Sequence, residues 1–359
     1  MRLYSQYIFL FFLNLVPNII GAKWRTYDHK IFKNDQEFLL KSVNWHGYEN
    51  GCGIANGLWM HPMTWYLDFI RGNNFNTLRI PFSYETALKL DNRPICMIHD
   101  NFYTVRDSIK FLFQESDKRG IHIILDFHTI NNEINKYPLA GLNTEQFNKA
   151  WDNMLDIALN YDNFMGIDIK NEPHNPTDLL EWAVIANNFV KNTKQTYPQY
   201  DGLFLIEGTQ GIDGTGVWGG SFYGIEFTEL QVDDRIVFSP HVYGPSVIGV
   251  SANEFGEEYF YKHFGFLRER YNSSIIFGET GGYMNESNGD MQFFKRLKLY
   301  LEKIDQRSVC WWALCPNSFD TGGLLENDWI TPVSVKLNWL HDLVPNPTFP
   351  KKRYLRYDK

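Results

Sequence analysis

Eight short β-branched or apolar runs recur along this chain, each closing on polar or glycine-rich residues, and their spacing constrains the fold more than any other feature. They are SVNWHGY (42–48), TLRIPF (77–82), HIILDFH (122–128), GIDIKNEP (166–173), LFLIEG (203–208), RIVFSPHVY (235–243), IIFGETG (275–281) and VCWWAL (309–314). Successive starts lie 32 to 45 residues apart, room for one strand, one helix and two loops. The stretches between them carry helical spacing. Residues 108–120 put apolar side chains on one face and stop at Gly120, and 178–195 is opened by Thr177 or Asp178 as a cap. Eight alternating units predict an α/β fold, a closed (β/α)8 TIM barrel in a single domain. A doubly wound open sheet is the alternative, but no G-x-G-x-x-G or G-x-x-x-x-G-K-[ST] follows the first strand. Residues 23–345 are assigned to the barrel domain, with 23–41 as a lead-in hairpin and 346–359 as a basic, solvated tail.

Composition narrows the partners. With 359 residues, 44% of them hydrophobic, the chain can bury a large core. A net charge of −8 argues against a nucleic-acid partner and against attraction to anionic membranes. The 11 Trp, 20 Tyr and 28 Phe leave rings to spare for a stacking surface on loops. Residues 1–22 read as a secretory signal peptide: Arg2, an apolar run from Tyr7 to Val16, then Pro17 and the small pair Gly21-Ala22. An uncleaved membrane anchor is the other reading, but the run is short for a bilayer span. The expected location is therefore secreted and extracellular, with no membrane association after signal removal. Export permits disulfides. Cys310 and Cys315 are too far apart to bridge if their stretch is extended, which leaves Cys52 and Cys96, both in loop sequence, as the one pair considered. Asn272 and Asn285 head glycosylation sequons.

In such a barrel, chemistry gathers at the C-terminal ends of the strands. Those positions hold Arg79, Asp126 and His128, Asn171 and Glu172, Glu207, His241 and Tyr243, Glu279, and Trp311 and Trp312. Ionised carboxylates are seldom buried without partners, so Glu172 and Glu279 stand out. They are 107 residues apart, on the fourth and seventh strands, and should face each other across the mouth. Two opposed carboxyls suit cleavage of a glycosidic bond: one protonates the leaving oxygen while the other attacks or stabilises the anomeric carbon. Their proximity would separate their pKa values, leaving one protonated. Glu207 is read as an ordinary strand end. Of the adjacent tryptophans, Trp312 is assigned to the cleft.

The stretches VNWHGYE, NTLRIPFS, IILDFH, IDIKNEPH, FSPHVY, FGETG and WWALCPNSFDTGGLLENDW together resemble glycoside hydrolase family 5, the cellulase A family, over nearly the whole barrel. The bacterial-type endo-β-1,4-glucanases look most similar, through G-L-W, W-G-G and D-T-G-G-L-L-E-N-D-W. The resemblance implies Glu172 as acid/base and Glu279 as nucleophile of a retaining hydrolase, so Glu172 at its strand end is expected to be dry enough to hold a proton near neutral pH. It implies Asn171 on the sugar 2-OH, and Arg79 and Tyr243 holding Glu279 ionised. His128 and His241 would line the cleaved subsite above Trp312 as stacking floor, with Trp59 and Trp218 cradling further glucose units. The implied partner is a β-glucan polysaccharide or oligosaccharide taken by a monomer, with no cofactor and no metal. Soluble or amorphous glucan is expected ahead of crystalline cellulose, because no binding module or Ser/Pro linker follows the barrel sequence.

Three positions depart from the usual pattern: His46 where Phe is more usual, Cys315 for Asn in W-x-x-N-P, and Phe319 for Gly in S-G-D. They bear on subsite detail. β-Mannan, β-1,3-glucan (an exo-acting enzyme), xyloglucan and glycolipid head groups are the alternative substrates within the family. Outside it stand a metal hydrolase built on Asp126, His128 and His241, and an inactive carbohydrate-binding protein. The first wants clustered ligands that the strand ends do not supply. The second is opposed by both glutamates standing with Arg79, Asn171 and Tyr243.

Overall fold

The computed structural model describes residues 23–94, 96, 98–130, 141–174, 179–225 and 230–349. The expected signal peptide, the cap at Thr177 or Asp178, and tail residues 350–359 lie outside them. Three short strands, β1 (Trp24–Tyr27), β2 (Lys30–Lys33) and β3 (Gln36–Glu37), form the lead-in antiparallel sheet. Nine parallel strands follow: β4 (Lys41–Asn44), β5 (Thr77–Ser83), β6 (His122–Thr129), β7 (Phe164–Asp168), β8 (Leu203–Ile206), β9 (Ile236–Phe238), β10 (His241–Tyr243), β11 (Ile276–Gly281) and β12 (Ser308–Trp311). They pair in the order β10-β11-β12-β4-β5-β6-β7-β8-β9. β9 and β10 are two halves of one expected strand, broken at Ser239-Pro240, where proline lacks a donor for the ladder. Phe238 bridges Ile275, so the ring closes as an eight-stranded barrel.

Ladder ends fall short of four expected strands. β4 stops at Asn44, β7 at Asp168, β8 at Ile206 and β12 at Trp311. Beyond them single backbone bonds continue, such as Asn171 N–H to Phe127 O at 2.9 Å and Trp312 N–H to Thr280 O at 2.8 Å. These frayed ends hold the mouth open for side chains. The helix at Val105–Lys118 starts three residues before its expected boundary because Thr104 and Asp107 form a reciprocal capping box. Gly120, at φ +68°, ends it as expected.

Alternation along the strands divides the barrel interior into two halves. At the base, Ile124, Leu203, Leu205, Val237, Ile276 and Cys310 meet Trp24, Ile31, Phe38 and Leu40 from the lead-in segment, which plugs the barrel floor. Trp24 packs edge-on to Phe38 at 4.9 Å and to His122 at 5.0 Å. Two residues further along the same faces, Asp126, Glu207 and Trp312 replace the aliphatics. The first residues assigned to the tail belong to this base: Thr348 O accepts from Asn76 Nδ2 at 2.8 Å, and the Arg71 guanidinium lies 3.6 Å from the Phe349 ring centroid.

Cys52 and Cys96 are joined, with Cα atoms 5.3 Å apart, and Cys310 and Cys315 are free and buried. The bridge ties the loop after β4 to the loop after β5 across a sequence separation of 44 residues. Opening it frees that loop in the unfolded chain, so the Cys52→Ser/Cys96→Ser double variant should lose about 2–4 kcal/mol of stability. Urea unfolding monitored by fluorescence measures this, and an unchanged midpoint would count against a stabilising bridge.

Candidate active site

Arg79, on β5, is fully buried at the centre of the upper barrel. Its Nε donates to Asp168 at 2.8 Å; Nη1 donates to Glu279 at 2.7 Å and Asn44 at 3.0 Å. Nη2 donates to Glu207 and Asn171, each at 3.0 Å, and lies 3.1 Å from Asp126. One guanidinium thus faces four carboxylates. They cannot all stay ionised around a single charge, and burial with the Glu207 charge pushes Asp168 well above the ordinary carboxyl range. Asp126 moves the other way: burial opposes its charge, but Arg79 and His128 outweigh that and lower its pKa.

Glu279, on β11, lies between two donors. Oε1 accepts from Arg79 and Oε2 from the Tyr243 hydroxyl at 2.6 Å. Burial nevertheless raises its pKa, opposed by His241 and Arg79 and reinforced by Glu172. Glu172 lies beyond β7 in the left-handed region at φ +46°, a conformation that costs a non-glycine residue about 1–3 kcal/mol. Its N–H donates to Glu207 Oε2 at 2.6 Å, and His241 Nδ1 is 3.0 Å from its Oε1. A carboxylate oxygen of Glu172, a nitrogen of His241 and a carboxylate oxygen of Glu279 all lie within 4.8 Å of one another.

The electrostatics reverse one expectation. A dry Glu172 that holds a proton near neutral pH was anticipated, yet its pKa is lowered. Burial works to raise it, but the hydrogen bond and charge of His241, with His128 and His174 nearby, outweigh burial. His241 is itself held well above its ordinary value: burial opposes its charge, and Glu207, Glu279 and Glu172 overcome that. The imidazole beside it therefore works against the proton that burial would leave on the glutamate.

The expected side chains converge with one exception. His128, Asn171, Glu172, Trp218, Tyr243, Glu279 and Trp312 line one cavity of about 650 Å³. Trp312 faces this cleft and donates through Nε1 to Ser318 Oγ at 3.0 Å, while Trp311 is buried against Phe294 and Trp339. His128 bonds Asp126 at 2.6 Å through Nδ1, and its ring lies parallel to Trp312. Trp218 stacks on His174 at 4.0 Å. Trp59 lies outside the cavity wall, edge-on to Trp329 at 5.4 Å.

Glu207 corrects the sequence reading. It is no ordinary strand end but a fully buried carboxylate joining Arg79, the Glu172 backbone and His241, whose Nε2 is 3.1 Å away. The available signal was its parity with Leu203 and Leu205, which point inward. The reading also passed over Asn44, Asp168, Lys170 and His174. Asp168 closes β7 and Lys170 lies two residues beyond it, polar positions that the flanking isoleucines conceal. Gly219, in W-G-G, sits at φ +68°, and a Cβ there would come 2.6 Å from Glu207 Oε2 and 3.2 Å from the Glu172 Cα. The loop crosses the carboxylates only because that position has no side chain.

The departures fit locally. His46 lies near-parallel to Trp312 at 5.5 Å, and burial followed by the His128 charge lowers its pKa to about 4. Cys315 is buried and donates to Asn56 O at 3.4 Å; Phe319 is almost wholly exposed. The acidic cluster Asp126, Asp168 and Glu207 has the spacing of a cation site. The Arg79 guanidinium supplies that cation, 2.8 to 3.1 Å from all three carboxylates, so this cluster does not fit the metal-hydrolase reading.

A family model described as cellulase (glycosyl hydrolase family 5) matches residues 33–318. An endoglucanase of Paenibacillus polymyxa is 26% identical over 343 residues, covering 87% of this chain and 84% of its own. The major extracellular endoglucanase of Xanthomonas campestris pv. campestris is 28% identical over 332 residues, covering 85% and 67%. Among solved structures, an endocellulase of Pyrococcus horikoshii in complex with cellotetraose superimposes with a TM-score of 0.82 at 24% identity, covering 90% of this chain and 99% of that one. A barrel whose mouth holds this arrangement of carboxyls, and whose sequence matches that model across most of its length, is a glycoside hydrolase: the chain belongs to glycosyl hydrolase family 5, the cellulases.

Proposed function

We propose that this chain is a retaining endo-β-1,4-glucanase that cleaves soluble or amorphous β-glucan by double displacement. The observation that carries the mechanism is the approach of Glu172 and Glu279, whose carboxylate oxygens come within 4.8 Å. Retaining enzymes hold their carboxyls about 5–5.5 Å apart, whereas inverting ones leave about 6.5–9.5 Å for a water. Glu279 attacks the anomeric carbon as the glycosidic bond breaks, and Glu172 gives a proton to the departing oxygen. Glu172 then takes a proton from water as that water displaces Glu279. The Glu172–His241 pair holds the proton for the first step. Asn171, aligned by Arg79, binds the 2-OH, and Trp312 forms the floor beneath the cleaved sugar. Trp218 extends the track.

Both bacterial relatives are endoglucanases by name, and the archaeal structure holds cellotetraose; these support a β-glucan substrate. Export through residues 1–22 and a monomeric, extracellular working form belong to the same reading, and the Cys52–Cys96 bridge suits an oxidising compartment. The catalytic unit is residues 23–345. Digestion of carboxymethyl cellulose, lichenan, laminarin, xyloglucan and mannan, with products sized, tests the substrate; preference for mannan, xyloglucan or laminarin would overturn the endo-β-1,4-glucanase assignment. Proton NMR of fresh cellotetraose product should show the β-anomer first, and initial α-anomer would mean inversion.

The division of labour is separable. Glu172→Ala should still be glycosylated by 2,4-dinitrophenyl β-cellobioside, whose leaving group needs no proton, and azide should restore turnover as β-cellobiosyl azide. Glu279→Ala should form no glycosyl-enzyme by mass spectrometry. Matching behaviour of the two variants would refute the assignment.

Each carboxyl also has its own pH signature. Tyr243 donates to ionised Glu279, so Tyr243→Phe should raise that pKa further and move the acidic limb of kcat/KM to higher pH. The His241 charge lowers Glu172, so His241→Asn should let Glu172 keep its proton longer and move the basic limb to higher pH. Folded, slower variants with unmoved limbs would contradict these roles.

A further inference from the structure

The proposed acid/base residue sits on a backbone that side chains, not the barrel ladder, hold in place. In a strand, successive side chains point to opposite faces. Asn171 nevertheless reaches Arg79 in the barrel centre, while Glu172, the next residue, reaches His241 at the same mouth. Two neighbours share one face only if alternation breaks, and the break is the φ of +46° at Glu172. Three side chains bind the peptides on either side of it. Lys170, itself buried, donates from Nζ to Asn171 O and to His128 O, the latter at 3.3 Å. Asn171 O belongs to the same peptide whose N–H, on Glu172, donates to Glu207 Oε2 at 2.6 Å. One peptide unit is therefore gripped at both ends. The next is held through its carbonyl, because His174 Nδ1 donates to Glu172 O at 2.7 Å.

From this geometry we infer that Lys170, Glu207 and His174 form a backbone clamp that keeps Glu172 in its left-handed conformation, with Lys170 a positioning residue for proton delivery to the leaving group. The inference rests on the acid/base role proposed for Glu172. Lys170 is suited to the task because it is buried where its ammonium meets carbonyls of two neighbouring strand ends. Its ammonium then joins the ends of β6 and β7 where their ladder has stopped. Releasing the clamp lets residue 172 relax toward an ordinary extended backbone, which turns the carboxyl away from the scissile oxygen and leaves Glu279 untouched.

A series of aryl β-cellobiosides, from 2,4-dinitrophenyl to phenyl, isolates that effect, since binding is nearly constant while the need for a proton rises. Lys170→Met should lose about 30-fold or more in kcat/KM on the phenyl compound and less than about 3-fold on the dinitrophenyl one, within the range of general acid catalysis. His174→Ala should steepen the dependence in the same sense and serves as the second variant if Lys170→Met folds poorly. Thermal midpoints are recorded for both. Equal losses across the series, or none, would overturn the clamp. Glu172→Ala separates the two layers. If its own dependence fails to steepen, the acid/base reading falls; if it steepens while the folded clamp variants do not, the clamp alone falls.

Discussion

The upper barrel depends on one buried guanidinium. Arg79 makes contacts of 2.7 to 3.1 Å with Asp126, Asp168, Glu207 and Glu279 and further bonds with Asn44 and Asn171. Arginine alone among side chains offers five donors in a rigid planar fork and stays charged in such surroundings. Carboxylates gathered this closely without it would repel one another and resist burial, and removing one partner of a buried ion pair costs about 3–5 kcal/mol. The guanidinium reaches six residues from five strands or strand ends, so a single side chain sets the relative position of groups far apart in the chain.

Around that hub the site trades stability for position. Glu172 is held in an unfavourable backbone region, Glu207 is fully buried, and the His241 ring is buried among three carboxyl groups that raise its pKa. Each arrangement is costly alone and is maintained because neighbours over-determine it. The apolar half of the barrel supplies the counterweight. Its floor, closed by Trp24 and Phe38, is packed from side chains with no hydrogen-bonding demand beyond a few ring nitrogens.

The proton balance of the mouth is a property of the group. His241 holds Glu172 down, while Glu172 in turn raises Glu279. Interacting sites of this kind titrate as a set. As Glu279 becomes an ester, its charge leaves the set and the balance on Glu172 shifts, which suits a group that acts first as acid and then as base.

The sequence by itself determined the barrel, because eight strands and their helices are written in local periodicity, and it placed both glutamates at strand ends. Alternation meant that only one of Trp311 and Trp312 could face the cleft, and Cys52 and Cys96 stood out by residing in loops. Tertiary structure alone decided what burial and geometry control. Glu207 read as a strand end because nothing local reveals that Arg79, 128 residues away, meets it inside the barrel. Lys170 was hidden for the same reason, its acceptors being carbonyls brought near by the fold. The lowered pKa of Glu172 was hidden as well, since it depends on His241, on another strand. Local sequence encodes which face a residue presents; which charges then meet, and at what distance, is settled only when the sheet closes.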